Sequence, residues 1–268
     1  MRTNAWALML FALLISGGGC LPSAPVLSIE NTVDSVKVSM TGFDEREPVA
    51  GAAGCAASAS YPVIEETPGL KEEIRTMLNA DIETQAALYF DAVPYATAKE
   101  AAEAFLKSCA VGVADVLKAD EESFVAKEEW NSDLTGEVLK NGGGILSIAL
   151  TNTSYTGGAH PGASSLFLMF DLGTGERLTL SHVLSEDQKL KIIKSLAGTL
   201  AKEYADALFP EQLAEYEAFL KNPSQESAAL IMEKYGEYAL TDGGVQAHFD
   251  EYEIAPYAAG PIDITIPL

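Results

Sequence analysis

The stretch NGGGILSIALTNTSYTGGAHPGASSLFLMFDLGTGERLTL, residues 141–180, decides the fold. Asn141-Gly142-Gly143-Gly144 reads as a turn. Leu146, Ile148 and Leu150 then alternate with Ser147, Ala149 and Thr151, the period of a strand, and this strand is expected to run to Tyr155. Thr156 to Gly162 reads as a loop. Leu166, Leu168, Phe170 and Leu172 form a second alternating strand, Gly173-Thr174-Gly175 turns, and Arg177 to Leu180 returns. Strands joined this tightly predict an antiparallel sheet.

Outward from this stretch the period changes to that of helices. Upstream, Pro68-Gly69 ends a loop, and Leu70, Ile74, Leu78, Ile82, Ala86 and Tyr89 are spaced by three or four. Thr97 with Glu100 is a capping-box pattern ahead of Ala98, Ala101, Ala102, Phe105, Cys109, Val113 and Val116. Asp34 to Met40 alternates like a strand. Val49 to Ser60, rich in small residues around Cys55, fits either a strand under a helix or a loop. Downstream, Ser185 with Gln188 caps a helix striped by Leu190, Ile193, Ala197, Leu200 and Tyr204. Pro210 opens a short helix that ends before Pro223, and Ser224 to Tyr235 is a third. Val245 to Tyr252 and Ile262 to Ile266 close the chain as strands. The expected class is α+β, antiparallel sheets packed with helices, rather than repeating βαβ units. We expect two intimately associated subdomains, residues 34–155 and 156–268.

The N-terminus reads as an address. Met1-Arg2-Thr3-Asn4 is a short basic start, and Ala5 to Ile15 (AWALMLFALLI) is an apolar run too short to span a bilayer. Ser16-Gly17-Gly18-Gly19-Cys20 resembles the bacterial lipobox, with Gly17 standing where an aliphatic residue is usual. The expectation is a signal peptide over 1–19, lipidation of Cys20 and a Pro-containing tether over 20–33; the alternative is ordinary secretory cleavage. The destination is then the periplasmic or outer face of a bacterial membrane. Export leaves Cys55 and Cys109, for which an oxidising compartment favours a disulfide over two buried free thiols.

The 268 residues carry 17 Lys and Arg against 39 Asp and Glu, a net charge of −22. That charge repels nucleic-acid backbones and favours a cationic partner. No P-loop or dinucleotide fingerprint is present, and no cofactor is called for. His160, His182 and His248 are too far apart in sequence for the short ligand spacings of a metal site. His160 with Ser164 or Ser165 and Asp171 supplies triad residue types, but no G-x-S-x-G elbow accompanies them. The adjacent carboxylates Glu65-Glu66, Glu72-Glu73, Glu121-Glu122, Glu128-Glu129 and Asp250-Glu251 are what so acidic a chain provides by chance.

Three segments carry a resemblance. Ser154-Tyr155-Thr156-Gly157-Gly158-Ala159-His160-Pro161, Phe170 to Leu180, and Tyr252-Glu253-Ile254-Ala255-Pro256-Tyr257-Ala258-Ala259-Gly260-Pro261, in this order, are similar to the extracytoplasmic domain of RsiV-type anti-sigma factors. That domain also accompanies some peptidoglycan deacetylases and occurs in bacterial lipoproteins. Tyr61 to Tyr155 resembles the module that usually precedes it. The resemblance implies a non-catalytic binding domain of the cell envelope, with lysozyme as the partner in the anti-sigma members. No stretch of this sequence is expected to correspond to the cytoplasmic segment, membrane helix or deacetylase domain of those relatives.

The candidate binding residues are therefore Tyr155, Gly157, Gly158 and His160 in one loop and Tyr252 and Tyr257 in another. Gly157-Gly158 supplies backbone angles closed to other residues, so the chain turns sharply after a strand. His160 is then either a donor at a recognition tip or a lock on a structural turn. The tyrosines are either exposed anchors or members of the core with satisfied hydroxyls. The partner expected from charge is a cationic protein such as lysozyme; cell-wall glycan stacked on the tyrosines and Trp130 is the alternative, and an envelope hydrolase a third.

Overall fold

A computed structural model describes residues 33–90, 95–119 and 127–268. The expected signal peptide, Cys20 and nearly all of the expected tether lie outside these residues, as does Glu121-Glu122. Val33, the last residue of that tether, is buried.

Residues 145–172 are the middle of the molecule. β4 (Ile145–Tyr155) and β5 (Gly162–Asp171) pair antiparallel from Ile145↔Asp171 to Ser154↔Gly162. β3 (Trp130–Gly142) joins β4 through a tight turn in which Gly143 and Gly144 both have positive φ. With β1 (Val38–Glu47), β2 (Cys55–Ile64) and β6 (Arg177–Leu178), they make a six-stranded sheet in the order β1-β2-β3-β4-β5-β6. The expected division after Tyr155 falls at the β4–β5 loop, inside this sheet.

The sheet is antiparallel with one exception, which the sequence pattern did not announce: β2 and β3 run parallel. The cause is their connection. α1 (Glu72–Leu88) and α2 (Ala98–Ala119) lie between them in the chain, and a helical crossover returns a strand in the same direction. The ambiguous small-residue segment is both: residues 49–54 form a turn, and from Cys55 on it is β2. On its helix-facing side Ala57 and Ala59 are buried and let the two helices approach. Cys55 on β2 is disulfide-bonded to Cys109 on α2, 54 residues on. The capping pattern at Thr97 forms, its hydroxyl accepting from Glu100 N at 3.2 Å.

Alternation along β4 and β5 sorts side chains between two cores. Leu146, Ile148, Leu150, Leu168, Phe170 and Leu172 face α1 and α2 in the first. Ile145 and Met169 face the second. The sequence reading gave β4 one apolar face; both are covered at this end, and Ile145 to Leu150 are all buried.

The second core belongs to the C-terminal half. It comprises a helical turn α3 (Leu180–Val183), α4 (Glu186–Glu203), α5 (Pro210–Lys221), α6 (Gln225–Lys234) and a three-stranded antiparallel sheet. That sheet has β7 (Glu237–Thr241), β8 (Gly244–Phe249) and β9 (Ile262–Ile266) in the order β7-β8-β9. The Ser185–Gln188 capping box forms as its spacing predicts. The return expected over 177–180 is only two residues of strand before α3 begins. β3 and β7 are additions to the sequence reading, and β8 ends at Phe249 rather than Tyr252. Arg177 on β6 reaches across to α1 and holds Asp81 with two bonds of 2.5 and 2.6 Å. Among the described residues, no helix is long and apolar enough to cross a membrane.

Candidate functional site

The β4–β5 loop is built by its own short bonds. Gly157 has φ +81°, a left-handed conformation that a side chain disfavours. Gly158 does not share this: its φ is unexceptional and a Cβ there meets nothing. What Gly158 contributes is a carbonyl that accepts from Tyr155 Oη–H at 3.2 Å. The Tyr155 N–H donates to Asn131 Oδ1, also at 3.2 Å, tying the loop to β3.

His160 stands exposed at the tip. Its Nδ1 is 2.9 Å from the Pro161 carbonyl, which can only accept, so Nδ1 carries a proton. In the neutral ring Nε2 is then the acceptor for Tyr252 Oη–H at 3.2 Å. Tyr257 stacks on the imidazole, centroids 3.7 Å apart and planes within 21°. Tyr252 and Tyr257 lie 5.8 Å apart. Three rings from two segments, 92 residues apart at the His160–Tyr252 contact, thus form one ledge. It is a surface feature: Tyr252 is 57% exposed and Tyr257 half-buried.

Tyr252 is also the one non-glycine residue with positive φ, at +67°, among the described residues. For a bulky residue that conformation costs about 1 kcal/mol or more, held by surrounding structure. The holding groups are visible. Asp250 N–H donates to Glu253 Oε2 at 3.0 Å, and Gly236 N–H donates to the other Glu253 oxygen. Ile254 and Ala255 are buried, and the Ile254 carbonyl accepts from Phe209 N–H at 3.0 Å. A single 3₁₀ turn over Tyr257–Ala259 then sets the second ring.

Carboxylates fasten the two segments together. β6 covers only the far end of β5, at Met169 and Phe170. Nearer the loop, alternate β5 amides point away from β4, and each finds a carboxylate. Ala163 N–H donates to Glu251 Oε2 at 2.9 Å and Ser165 N–H to Asp250 Oδ1 at 3.0 Å. The Phe167 backbone bonds Glu237. Side chains here do the work of a missing strand, in a period-two row.

Behind the row sits His248, 7% exposed, with Nδ1 2.8 Å from Asp263 Oδ1 and Nε2 3.0 Å from Asp250 Oδ1. Burial opposes its charge, but the bonds to Asp250 and Asp263 prevail and its pKa is raised to about 9. Asp263 is correspondingly held below the ordinary carboxylate range by the His248 bond. Burial pushes Glu237 upward, with Glu253 and Asp250 adding repulsion. Among the described residues no Lys or Arg pairs with Glu237, Asp250, Glu251, Glu253 or Asp263 within 4.0 Å.

All six sequence-derived residues thus lie on or beside one face. Of the carboxylates that hold them, Glu237 escaped the sequence reading, Glu253 was quoted only as part of a resembling segment, and the pair Asp250-Glu251 was put down to chance although it directly precedes Tyr252. The triad residue types do not assemble. Asp171, at the opposite end of β5, accepts from Gly173 and Thr174 N–H at 2.6 and 3.1 Å to shape the turn. Ser165 Oγ is 3.0 Å from Thr151 Oγ1. His182 serves in the cap of α3. Trp130 is half-buried against the first core rather than offered to a ligand. Among the described residues no group of three or more His, Cys, Asp and Glu is placed to hold a metal ion.

Comparison with known proteins divides the chain in two. Residues 53–163 match the family described as "Deacetylase PdaC", and residues 185–268 match that described as "Protein of unknown function (DUF3298)". Two solved structures share the fold at 20% identity. A DUF3298 family member from Bacteroides fragilis has a TM-score of 0.59, covering 88% of this chain and 91% of its own. A DUF3298 family protein from Pseudomonas aeruginosa has a TM-score of 0.57, covering 87% and 91%. No curated protein matches the chain.

Proposed function

We propose that the protein is an exported, lipid-anchored binding domain of the bacterial cell envelope, and that the His160–Tyr252–Tyr257 ledge docks a cationic protein, with lysozyme as the sharpest candidate. The observation that carries this reading is the convergence of three rings on an exposed face fringed by carboxylates that, among the described residues, have no Lys or Arg partner within 4.0 Å. Aromatic rings with two rotatable bonds anchor an interface at low entropic cost. The carboxylates add complementarity, and a net charge of −22 steers a basic partner toward them. The resemblance to RsiV-type domains points the same way. The strained backbone at Tyr252 supports it too: strain concentrates where a side chain is held out for a purpose.

The test is surface plasmon resonance of mature protein against lysozyme at about 50 and about 150 mM salt, near Debye lengths of roughly 14 and 8 Å. A complex persisting at the higher salt, weakened about tenfold or more by Tyr257→Ala, is expected. No complex at either salt, or a complex indifferent to Tyr257→Ala, overturns the reading.

A second reading has its own support in the match of residues 53–163 to a family described as a deacetylase: the ledge stacks on cell-wall sugar. Sedimentation with insoluble peptidoglycan tests it, and acetate release in the same tube reports whether the chain also acts on the polymer. Sedimentation unchanged by Tyr252→Ala and Tyr257→Ala counts against the ledge as its site.

A further inference from the structure

A cleft of about 450 Å³ opens where β5, the β6–α3 corner, α4 and the α6–β7 junction meet, within the range of small-molecule sites. Its lining is apolar at the bottom: Met169, Leu178 and Leu180 are buried, with Phe167 and Met232 half-buried beside them. Two opposite charges share this lining. Lys189 is 7% exposed, an unusual depth for a lysine. Its Nζ is 2.5 Å from Glu186 Oε1 and 3.3 Å from Ser181 Oγ. Those contacts use two of its three N–H donors. Glu237 accepts from the Phe167 backbone, which occupies one of about four lone-pair sites. Burial raises its pKa, and no Lys or Arg among the described residues offsets that cost.

Buried charges in proteins are normally paired. Here a lysine with a donor to spare and a carboxylate that has His248 as a neighbouring charge but, among the described residues, no direct ion pair line one apolar cleft. We propose that the cleft binds an apolar zwitterion, a free amino acid or a dipeptide, with its ammonium on Glu237, its carboxylate on Lys189 and its side chain against Phe167, Met169 and Met232. A simple alkyl cation would leave the lysine unused and meet its repulsion. A simple carboxylate would face Glu237 and, at the mouth, Glu233. A molecule bearing both charges answers both groups. The cleft shares Glu237 with the carboxylate row beside the aromatic ledge, but the proposal does not depend on what the ledge binds.

The experiment is isothermal titration calorimetry of the mature protein at pH 7 with leucine, methionine, phenylalanine and leucyl-leucine. The half-ligands isoamylamine and isocaproate serve as controls. Binding of a zwitterion at millimolar concentration or below is expected, each half-ligand being at least about tenfold weaker. The single amino acids and the dipeptide distinguish the two sources. Glu237→Gln keeps an acceptor for the Phe167 amide and removes the charge; a loss of about thirtyfold is expected. Met232→Trp at the half-buried wall fills the cleft and abolishes binding. Circular dichroism confirms that both variants are folded. Absence of binding by every zwitterion to about 10 mM, a half-ligand as tight as leucine, or folded variants that bind like the wild type each overturn the proposal.

Discussion

The two cores flanking the central sheet solve the same problem by different means. The first packs α1 and α2 on β1–β5, is almost wholly apolar, and is cross-linked by Cys55–Cys109. The second packs α3–α6 and the small sheet, has no cross-link, and joins the large sheet through carboxylates on strand amides. It also buries Gln212 Oε1, Tyr216 Oη and Tyr238 Oη without a protein partner, at about 1–3 kcal/mol each unless solvated. The lesson is that one half is held by apolar packing and a cross-link, while the other carries Tyr252, Tyr257 and the buried His248 whose charge is held by Asp250 and Asp263.

Removing the cross-link breaks this contrast most strongly. Closing a loop of 54 residues is worth about 4 kcal/mol in the chain-entropy model. The Cys55→Ser/Cys109→Ser double variant is expected to lose about that much in denaturant unfolding. Hydrogen exchange should show the loss in β2 and α2, not in β8; a uniform loss would show the halves to be one cooperative unit.

Raising the pH sharpens the contrast from the other side. The folded-state pKa of His248 lies above its unfolded value, near 6.5, at about 9. Its contribution to stability is therefore complete below about pH 6.5 and is lost as pH rises through about 9. The full shift corresponds to about 3 kcal/mol. Asp263 is half-exposed, and screening brings the expectation to about 2 kcal/mol. Thermal unfolding from pH 6 to 10 checks this. His248→Gln should flatten the profile, and an equal slope in that variant would place the titration elsewhere.

The smallest effect separates backbone from ring at Tyr252. Tyr252→Gly and Tyr252→Ala delete the same side-chain contacts, but only glycine tolerates φ +67° without cost. Glycine is expected to be more stable than alanine by about 1 kcal/mol, against the reverse order at an ordinary helical position. Both variants should fail at the ledge. Chemical denaturation gives the difference directly, and equal stabilities would mean that the chain pays nothing there.

Much of this was legible beforehand because it rests on local patterns. The alternation in 145–172, the stripes of α1 and α4, and the caps at Thr97 and Ser185 each depend on residues within a few positions. β3 escaped because its run from Trp130 to Gly142 mixes Asn, Asp, Gly, Glu and Lys with few apolar residues, and it is a strand through its neighbours. β7 escaped because five residues after a helix carry too little signal. The parallel pairing of β2 and β3 follows from where two helices pack, which no window along the chain contains.

The candidate site shows the same division. Tyr155, Gly157 and His160, and separately Tyr252 and Tyr257, stood out as two unusual segments. The sequence by itself determined the two apolar periods, the tight turns, the charge and the two isolated cysteines. Only the tertiary structure decided that His160 meets Tyr252 across 92 positions, that Glu237, Asp250 and Glu251 replace a strand along β5, and that Lys189 and Glu237 share a cleft. Those contacts join elements far apart in sequence, and their partners are fixed by how two cores pack across one sheet rather than by any property of neighbouring residues.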